Sequence, residues 1–373
     1  MVTEAVVVAV IFNPDGGTRR RPCQEAGTWT GQRTAQETGI RTAQETGIRT
    51  ALVLGAGGVL GGAWMTGALA SLADRLPCAL ADVDLIVGTS AGSVFAAALR
   101  CHAGLEEMVA WQRGEATGIL GESAALAAQD GPLPPLPQLR VGSVPLARAG
   151  LLKPWQVPPW VAASGWLPHG RGQHAALRSL VGALYLRDFP PARSDKEPPA
   201  WADGRTWISA VDYDSGQRVL FGTAGAPPAS LADAVAASCS IPGWYAPALI
   251  GGRRYVDGGV RSATSLGALR GTDVRDVYVL APMASTEPDH PLQPHLRLER
   301  RFRQVQTSVL LRQARTLSAE GKRVTVLTPG PADLAAMGMN LMDPRRREAV
   351  LELSFRTCAE SLSAVGRSRP HAA

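Results

Sequence analysis

Hydrophobic and polar residues follow a regular alternation of strand-like and helix-like segments from Thr50 onward. Short, mostly apolar runs are typical of buried parallel strands, whereas apolar residues spaced three and four positions apart are typical of helices. The strand-like runs cover 51–54, 83–87, 274–280 and 324–327, and the helical stretches cover 61–76, 93–99, 231–237, 302–317 and 345–362. Alternating strands and helices predict an α/β fold with a mostly parallel central sheet.

One pair of strands follows a different pattern. Residues 207–211 and 217–221 flank the turn-forming sequence Asp212-Tyr213-Asp214-Ser215-Gly216, which predicts a β-hairpin. No linker of disordered composition interrupts residues 50–365, so we expect one domain there, followed by a short tail at 366–373.

Residues 1–49 differ from the rest of the chain. The octapeptide 33–40 is repeated without change at 41–48. Two copies of eight residues are too few for a solenoid, which needs at least three stacked units. We therefore expect an unstructured leader that is dispensable for folding and activity. The alternative is a helical repeat that binds a partner.

The segment 131–168 interrupts the α/β pattern with nine prolines and three tryptophans. Because proline removes a backbone donor and fixes φ, we expect an irregular insertion. Two interpretations stay open: a surface connector, or a lid at an acyl-chain entrance, since tryptophan suits an apolar–water boundary.

Composition excludes several classes of protein. Apolar residues make up 45% of the chain and charged residues 19%, so a large buried core is expected. No apolar run reaches the roughly 18 residues of a membrane span, and the five cysteines have no metal-ligand spacing. The net charge of +6 is only locally clustered, which argues against nucleic-acid binding. We expect a cytoplasmic protein.

The first candidate motif is the glycine-rich turn at 55–62, Gly-Ala-Gly-Gly-Val-Leu-Gly-Gly, between a predicted strand and a predicted helix. Its glycines, among them Gly55 and Gly61, let the backbone approach a ligand and turn N–H groups toward negative charge. A dinucleotide-binding fingerprint starting at Gly55 fails because its last position is Leu60. A tight turn without ligand remains the alternative.

The second motif is Gly88-Thr89-Ser90-Ala91-Gly92, which follows a predicted strand and opens a predicted helix. This is the sequence and context of a nucleophile elbow, in which small neighbours allow the sharp turn that exposes the serine oxygen. The helix N-terminus behind Ser90 favours developing negative charge.

A nucleophilic serine needs a base. The histidines that follow the third motif, His290, His295 and His371, lie in a proline-rich loop or close to the end of the chain, without a strand-end context. The third motif itself, Asp257-Gly258-Gly259, follows an apolar strand and offers a carboxylate as the base. An aspartate before two glycines is also common in turns.

In combination, the three motifs resemble the patatin-like phospholipase family. Residues 86–93 resemble the family's elbow, 236–243 the segment before its aspartate, and 255–260 its aspartate motif. The resemblance covers about 50–365 and implies a three-layer α/β/α fold whose catalytic domain is that range. It also implies hydrolysis of fatty acyl esters by a Ser-Asp dyad without metal or organic cofactor.

By this resemblance Ser90 is the nucleophile and Asp257 the base, while Gly57 and Gly58 form the oxyanion hole with the N–H of Ala91 as a further donor. The resemblance also marks a set of motif glycines: Gly55, Gly61, Gly88, Gly92, Gly258 and Gly259. The chain departs from the family pattern at Leu60, where many members carry a cation, and at Ala56, which replaces a glycine. A loop without that cation holds a phosphate less firmly, so acyl-ester hydrolysis is better supported than phospholipid specificity.

The expected partner is an acyl-ester lipid, namely a phospholipid, a lysophospholipid or a neutral lipid. Two other functions remain open: an acyltransferase with the same dyad, and a catalytically weak lipid-binding protein. Peripheral contact with an anionic membrane is a further expectation. Two surfaces could make it: the tryptophans Trp155, Trp160 and Trp166, or the arginines Arg300, Arg301, Arg303, Arg345, Arg346 and Arg347.

Overall fold

A nine-stranded mixed sheet forms the centre of the protein. The computed structural model describes residues 9–12, 50–76, 78–122, 135–152, 155, 157–189, 201, 204–287, 289 and 291–367. The strands of the main sheet are β1 (Ala9–Phe12), β2 (Thr50–Leu54), β3 (Leu85–Thr89), β6 (Thr206–Asp212), β7 (Arg218–Phe221), β8 (Ala248–Ile250), β9 (Arg253–Asp257), β10 (Asp276–Leu280) and β11 (Arg323–Leu327). Two short strands, β4 (Gln138–Val141) and β5 (Pro168–His169), pair separately.

The strand order is β1-β11-β10-β2-β3-β6-β9-β8, and β7 pairs with β6. The strands β11, β10, β2, β3 and β6 are parallel, and antiparallel strands extend the sheet at both ends. The hairpin predicted around Asp212–Gly216 is confirmed by the antiparallel pairing of β6 with β7.

Side chains alternate between the two faces of the sheet because successive residues of a strand point in opposite directions. On β2, Leu52 and Leu54 pack into one core, whereas Ala51 and Val53 pack into the other. Helices cover both cores, which confirms the three-layer α/β/α fold. Their bounds are Gly58–Ala73, Ala91–Arg100, Leu105–Arg113, Val144–Leu152, Pro159–Trp166, Ala175–Asp188, Leu231–Ser238, Pro294–Ala319, Pro331–Met337 and Arg347–Arg367.

The leader is not unstructured throughout, which corrects the sequence-based expectation for 1–49. Residues Ala9–Phe12 form β1 and pair antiparallel with β11, from Ala9 opposite Leu327 to Phe12 opposite Val324. An apolar run of four residues is long enough for an edge strand. The duplicated octapeptide lies outside the described residues.

The insertion at 131–168 contains more regular structure than its prolines predicted. Helices Val144–Leu152 and Pro159–Trp166 lie within it. Proline is compatible with the first turn of a helix, where the backbone N–H has no intrahelical acceptor, and Pro159 occupies that turn. Within the described ranges, no helix is both long and apolar enough to cross a membrane.

Candidate active site

Ser90 lies in a tight turn between β3, which ends at Thr89, and the helix that begins at Ala91. Its φ of 52° and ψ of −122° are unusual for a residue with a side chain, and such strain concentrates at functional sites. The neighbours must be small. A Cβ on Gly88 would lie 2.6 Å from the Ser93 Cα, and one on Gly92 would lie 2.0 Å from the Leu54 carbonyl oxygen.

Hydrogen bonds hold this strained turn in place. The Ser90 N–H donates to Ser238 Oγ at 2.8 Å, and the Ser238 hydroxyl donates to the Ser209 carbonyl at 2.7 Å. On the other side, the Ser93 hydroxyl donates to the Ser90 carbonyl at 2.6 Å. Ser90 is only 7% exposed, so these bonds form where water does not compete well.

The register of the sheet brings Asp257 to Ser90. Both β3 and β9 pair with the same edge of β6, because β7 occupies the opposite edge beside Ile208–Val211. Thr89 pairs with Ser209, and Asp257 pairs with the next residue, Ala210. The end of β3 and the end of β9 therefore meet on one edge of one strand.

Asp257 is a buried carboxyl group, 5% exposed. Its Oδ1 accepts the Gly259 N–H at 2.7 Å. Burial raises the pKa of Asp257 to about 6, although the interactions with the Ser90 side chain and with the Gly259 N–H act in the opposite direction. The carboxyl is therefore a stronger base than an exposed aspartate.

Cys239 lies beside this pair. Its Sγ is 3.7 Å from Ser93 Oγ, and its thiol also lies near the Ser90 hydroxyl. Desolvation and the charge of Asp257 raise the pKa of Cys239 to about 12, so the thiol is neutral near pH 7. A neutral thiol does not compete with Ser90 as a nucleophile.

The glycine-rich turn meets both other motifs. The Gly92 N–H donates to the Gly55 carbonyl at 3.2 Å, and a Cβ on Gly259 would lie 3.4 Å from the Cβ of Ala56. The structure thus brings the three motifs next to one another. Gly258 is as confined as the elbow glycines, because its Cβ would lie 2.3 Å from the Ser209 carbonyl oxygen.

Gly57 and Gly58 stand at the start of the helix Gly58–Ala73, where backbone N–H groups have no intrahelical acceptor. In the described part of the chain, the N–H groups of Gly57, Gly58 and Ala91 have no protein acceptor. Pro282 packs against Gly57 and Gly61, where a Cβ would lie within 3.0 Å of its ring. Gly58 has φ +61°. Two helix N-termini therefore offer N–H groups without a protein acceptor, one directly after Ser90 and one in the glycine-rich turn, whose Gly55 carbonyl contacts Gly92 of the elbow.

A family model for patatin-like phospholipases matches residues 52–270, more than half of the chain. The chain belongs to the patatin-like phospholipase family. This confirms the family that the three motifs resemble, although the match ends before residue 365.

The patatin-like chain gave no match in a comparison with curated protein sequences. It is similar to VipD from Legionella pneumophila at 14% sequence identity and a TM-score of 0.38, over 85% of this chain and 67% of that chain. It is also similar to the type III effector protein ExoU at 17% identity and a TM-score of 0.26, over 86% of this chain and 61% of that chain. The chain thus spans less than two thirds of ExoU.

Several residues of the patatin-like site escaped the sequence analysis. Ser238 and Ser209 support Ser90, and Ser265 joins them: its hydroxyl donates to Ser209 Oγ at 2.7 Å and accepts from Thr89 Oγ1 at 3.2 Å. The Leu341 carbonyl accepts the Leu60 N–H at 2.9 Å and so fixes the glycine-rich turn. The only sequence signal was a set of serines among buried apolar residues.

Of the six arginines expected for membrane contact, two are buried, whereas Arg301, Arg345 and Arg346 are exposed. Arg300 and Arg303 are 7% and 1% exposed and form ion pairs with Asp289 and Glu299. Arg345 pairs with Asp343, which is on the same turn. The helix Pro294–Ala319 buries one stripe of residues, and Arg300 and Arg303 lie on that stripe. In the described ranges, no group of three or more histidine, cysteine or acidic residues could hold a metal ion.

Proposed function

We propose that this patatin-like protein hydrolyses fatty acyl esters of lipids, with Ser90 as the nucleophile and Asp257 as the general base. One observation carries the proposal: a buried carboxyl with a pKa of about 6 interacts with the side chain of a serine held in a strained strand–helix turn. Membership of the patatin-like phospholipase family supports lipid hydrolysis as the class of reaction.

In the proposed mechanism, the Ser90 oxygen attacks the ester carbonyl carbon while Asp257 accepts the hydroxyl proton. The carbonyl oxygen becomes an oxyanion and receives hydrogen bonds from the N–H groups of Gly57, Gly58 and Ala91, each typically worth about 3 kcal/mol. The tetrahedral intermediate collapses, and the leaving alcohol takes the proton from Asp257. Water then attacks the acyl-enzyme carbonyl while Asp257 accepts one of its protons. The bond between the acyl group and Ser90 breaks, the Ser90 oxygen takes the proton from Asp257, and the fatty acid is released.

The proposal favours the acyl ester over the head group as the recognised part of the substrate. The position before Gly61 is Leu60, which lies in the core at 0% exposure and carries no charge to hold a phosphate. We expect neutral acyl esters to be turned over as well as phospholipids. An acyltransferase would differ only in the acceptor of the acyl group, so added alcohols and water are compared in the same assay.

The first prediction tests the dyad with a soluble p-nitrophenyl acyl ester. Ser90→Ala, Asp257→Asn and the double variant should each lose at least about 1,000-fold in kcat and retain similar residual rates, because groups that act as a unit give non-additive losses. His295→Ala is the control, since His295 is exposed at the start of the helix Pro294–Ala319. A fluorophosphonate should add to Ser90 alone, as judged by mass spectrometry.

Two outcomes would contradict this assignment. A comparable loss of kcat in His295→Ala would indicate that a histidine, and not Asp257, is the general base. A fluorophosphonate adduct on another residue, together with an active Ser90→Ala variant, would show that Ser90 is not the nucleophile.

A further inference from the structure

Exposed apolar side chains are concentrated in one segment. Of the sixteen large hydrophobic residues that are strongly exposed among the described residues, nine lie between 136 and 167. Trp155, Trp160 and Trp166 are 78%, 50% and 56% exposed. The others are Leu136, Leu139, Val144, Leu151, Leu152 and Leu167. We call these nine residues, together with the exposed arginines Arg140, Arg148 and Arg171, the insertion surface.

The charged residues in and just after the insertion are all basic. From 131 to 187 the sequence contains no aspartate or glutamate and six basic residues, Arg140, Arg148, Lys153, Arg171, Arg178 and Arg187. Arg178 and Arg187 pair with Asp233 and Glu107, away from the insertion surface. Among the described residues, Arg140, Arg148 and Arg171 form no ion pair. The surface thus combines apolar side chains with unneutralised positive charge.

The inner side of the insertion is fixed beside the candidate active site. Leu146 and Val161 pack with Val211, Val256 and Val260, and the last two flank the motif Asp257-Gly258-Gly259. Hydrogen bonds strengthen this attachment: the Tyr213 hydroxyl donates to the Ser164 carbonyl, and Arg254 donates to the Gly142 carbonyl, both at 2.9 Å. The insertion surface is therefore the outer face of a layer whose inner face touches the neighbours of Asp257.

Apolar area in water is unfavourable, and this segment also carries a groove of about 430 Å³ lined by Val144, Pro145, Arg148, Ala149 and Leu152. Symmetric docking of two copies would bring the same arginines face to face with no carboxylate in the insertion to neutralise them. An anionic bilayer satisfies both features, because tryptophan favours the interface and each arginine interacts with the surface potential.

We propose that the insertion surface docks the protein on anionic lipid bilayers, with Trp155, Trp160 and Trp166 as anchors and Arg140, Arg148 and Arg171 as the charged contacts. This inference rests on the proposed function, because it explains how a chain that acts on insoluble esters reaches them. Docking there would hold against the lipid the layer that contacts the neighbours of Asp257.

The second prediction is tested by co-sedimentation with vesicles, using the full chain with Ser90→Ala so that no lipid is consumed. We expect binding to vesicles of phosphatidylserine and phosphatidylcholine that weakens as salt rises. Replacing Trp155, Trp160 and Trp166 by alanine should weaken binding at least tenfold. Replacing Arg140, Arg148 and Arg171 by alanine should also weaken it at least tenfold, at roughly fivefold per arginine, and should reduce the salt dependence.

The matched control is Leu298→Ala/Phe302→Ala, which removes two equally exposed apolar side chains from the helix Pro294–Ala319. It should bind vesicles as the parent does, and all variants should keep the thermal midpoint of the parent. Equal binding to pure phosphatidylcholine, equal loss in the control, or concentration-dependent dimers that disappear with the tryptophans would each overturn the proposal. Turnover of a soluble ester by the native chain is measured separately, so absence of docking and absence of hydrolysis are distinguishable.

Discussion

Asp257 is the residue whose chemistry depends most on its surroundings. Its carboxyl is buried, and the loss of hydration disfavours the charged form more than the bonds from Gly259 and Ser90 favour it. With a pKa of about 6, the carboxyl is ionised above that pH and neutral below it. Only the ionised form can accept the Ser90 proton.

The third prediction follows from this pKa. For a soluble ester, log kcat/KM should be flat above pH 7 and should fall with a slope of one as the pH drops below about 6, because the fraction of ionised Asp257 falls tenfold per pH unit. The profile is measured from pH 4.5 to 8.5 with stability checked at each pH. An acid limb centred near pH 4 would show that Asp257 is not desolvated in solution.

The fourth prediction concerns Ser238, which holds the backbone of Ser90 in place. It is a positioning residue that accepts the N–H of Ser90 and donates to the Ser209 carbonyl. Ser238→Ala leaves both backbone groups buried and unpaired, which costs about 1–3 kcal/mol for such a group. We expect kcat to fall about 10- to 100-fold with little change in KM, and fluorophosphonate labelling of Ser90 to slow in parallel.

Ser240→Ala is the matched control for Ser238→Ala. Both serines are fully buried, but the Ser240 hydroxyl donates to the Ala236 carbonyl of the helix Leu231–Ser238, which ends just before it, and makes no bond to Ser90. If the hydroxyl of Ser238 only stabilised the fold, both variants would lose thermal stability and would have similar kcat values. If the two variants lose kcat equally, Ser238 has no special role in positioning Ser90.

Residues of the site differ in how visible they are in the sequence. Ser90 and Asp257 were predictable because each lies in a short motif whose flanking strand and glycines are local. Ser238 and Ser209 were not, because their hydrogen bonds to Ser90 and to each other join residues far apart in the chain. The pairing of β3 with β6 brings Ser209 beside the elbow, and the end of the helix Leu231–Ser238 brings Ser238 to both.

Among the elements, β1 changes the interpretation of the leader. Its four residues cover one edge of β11, which would otherwise expose unpaired N–H and C=O groups. Three strands, β11, β10 and β2, separate β1 from β3 and Ser90. The part of the leader that forms β1 therefore contributes to the sheet and lies away from Ser90.

The fifth prediction compares two deletions. Removing residues 1–48 should lower the thermal midpoint by a few degrees, as expected for a loss of about 1–2 kcal/mol in a chain of this size, and should promote association through the open edge of β11. Soluble-ester turnover per folded molecule should stay unchanged. Removing only 33–40, one copy of the octapeptide, retains β1 and should change neither property. Equal midpoints for the two deletions would show that β1 adds no stability.

The helix Pro294–Ala319 shows why surface arginines are hard to recognise from sequence. Its buried residues recur every three or four positions and include Arg303. The guanidinium of Arg303 pairs with Glu299 and donates to the carbonyl of Pro282, whose ring packs against Gly57. An arginine interpreted as a membrane contact thus supports the glycine-rich turn from inside the protein.

At the scale of the whole molecule, the central sheet extends beyond the residues that the family model matches. The match ends at Arg270, but β10 and β11 follow it, and β10 pairs with β2 along its full length. A chain cut at 270 would leave β2 with an open edge in the middle of the sheet. The alternating sequence pattern predicted these two strands, whereas their position next to β2 required the structure.

Since Thr89 and Asp257 pair with consecutive residues of β6, their positions are offset by about one strand repeat, roughly 3.3 Å along the strand. The hydrogen bonds of one sheet therefore hold the backbone of the nucleophile elbow and that of the Asp257 motif next to each other. We expect the two groups to need no rearrangement when a substrate arrives. A fluorophosphonate should therefore react with Ser90 in the free protein, before any lipid surface is added.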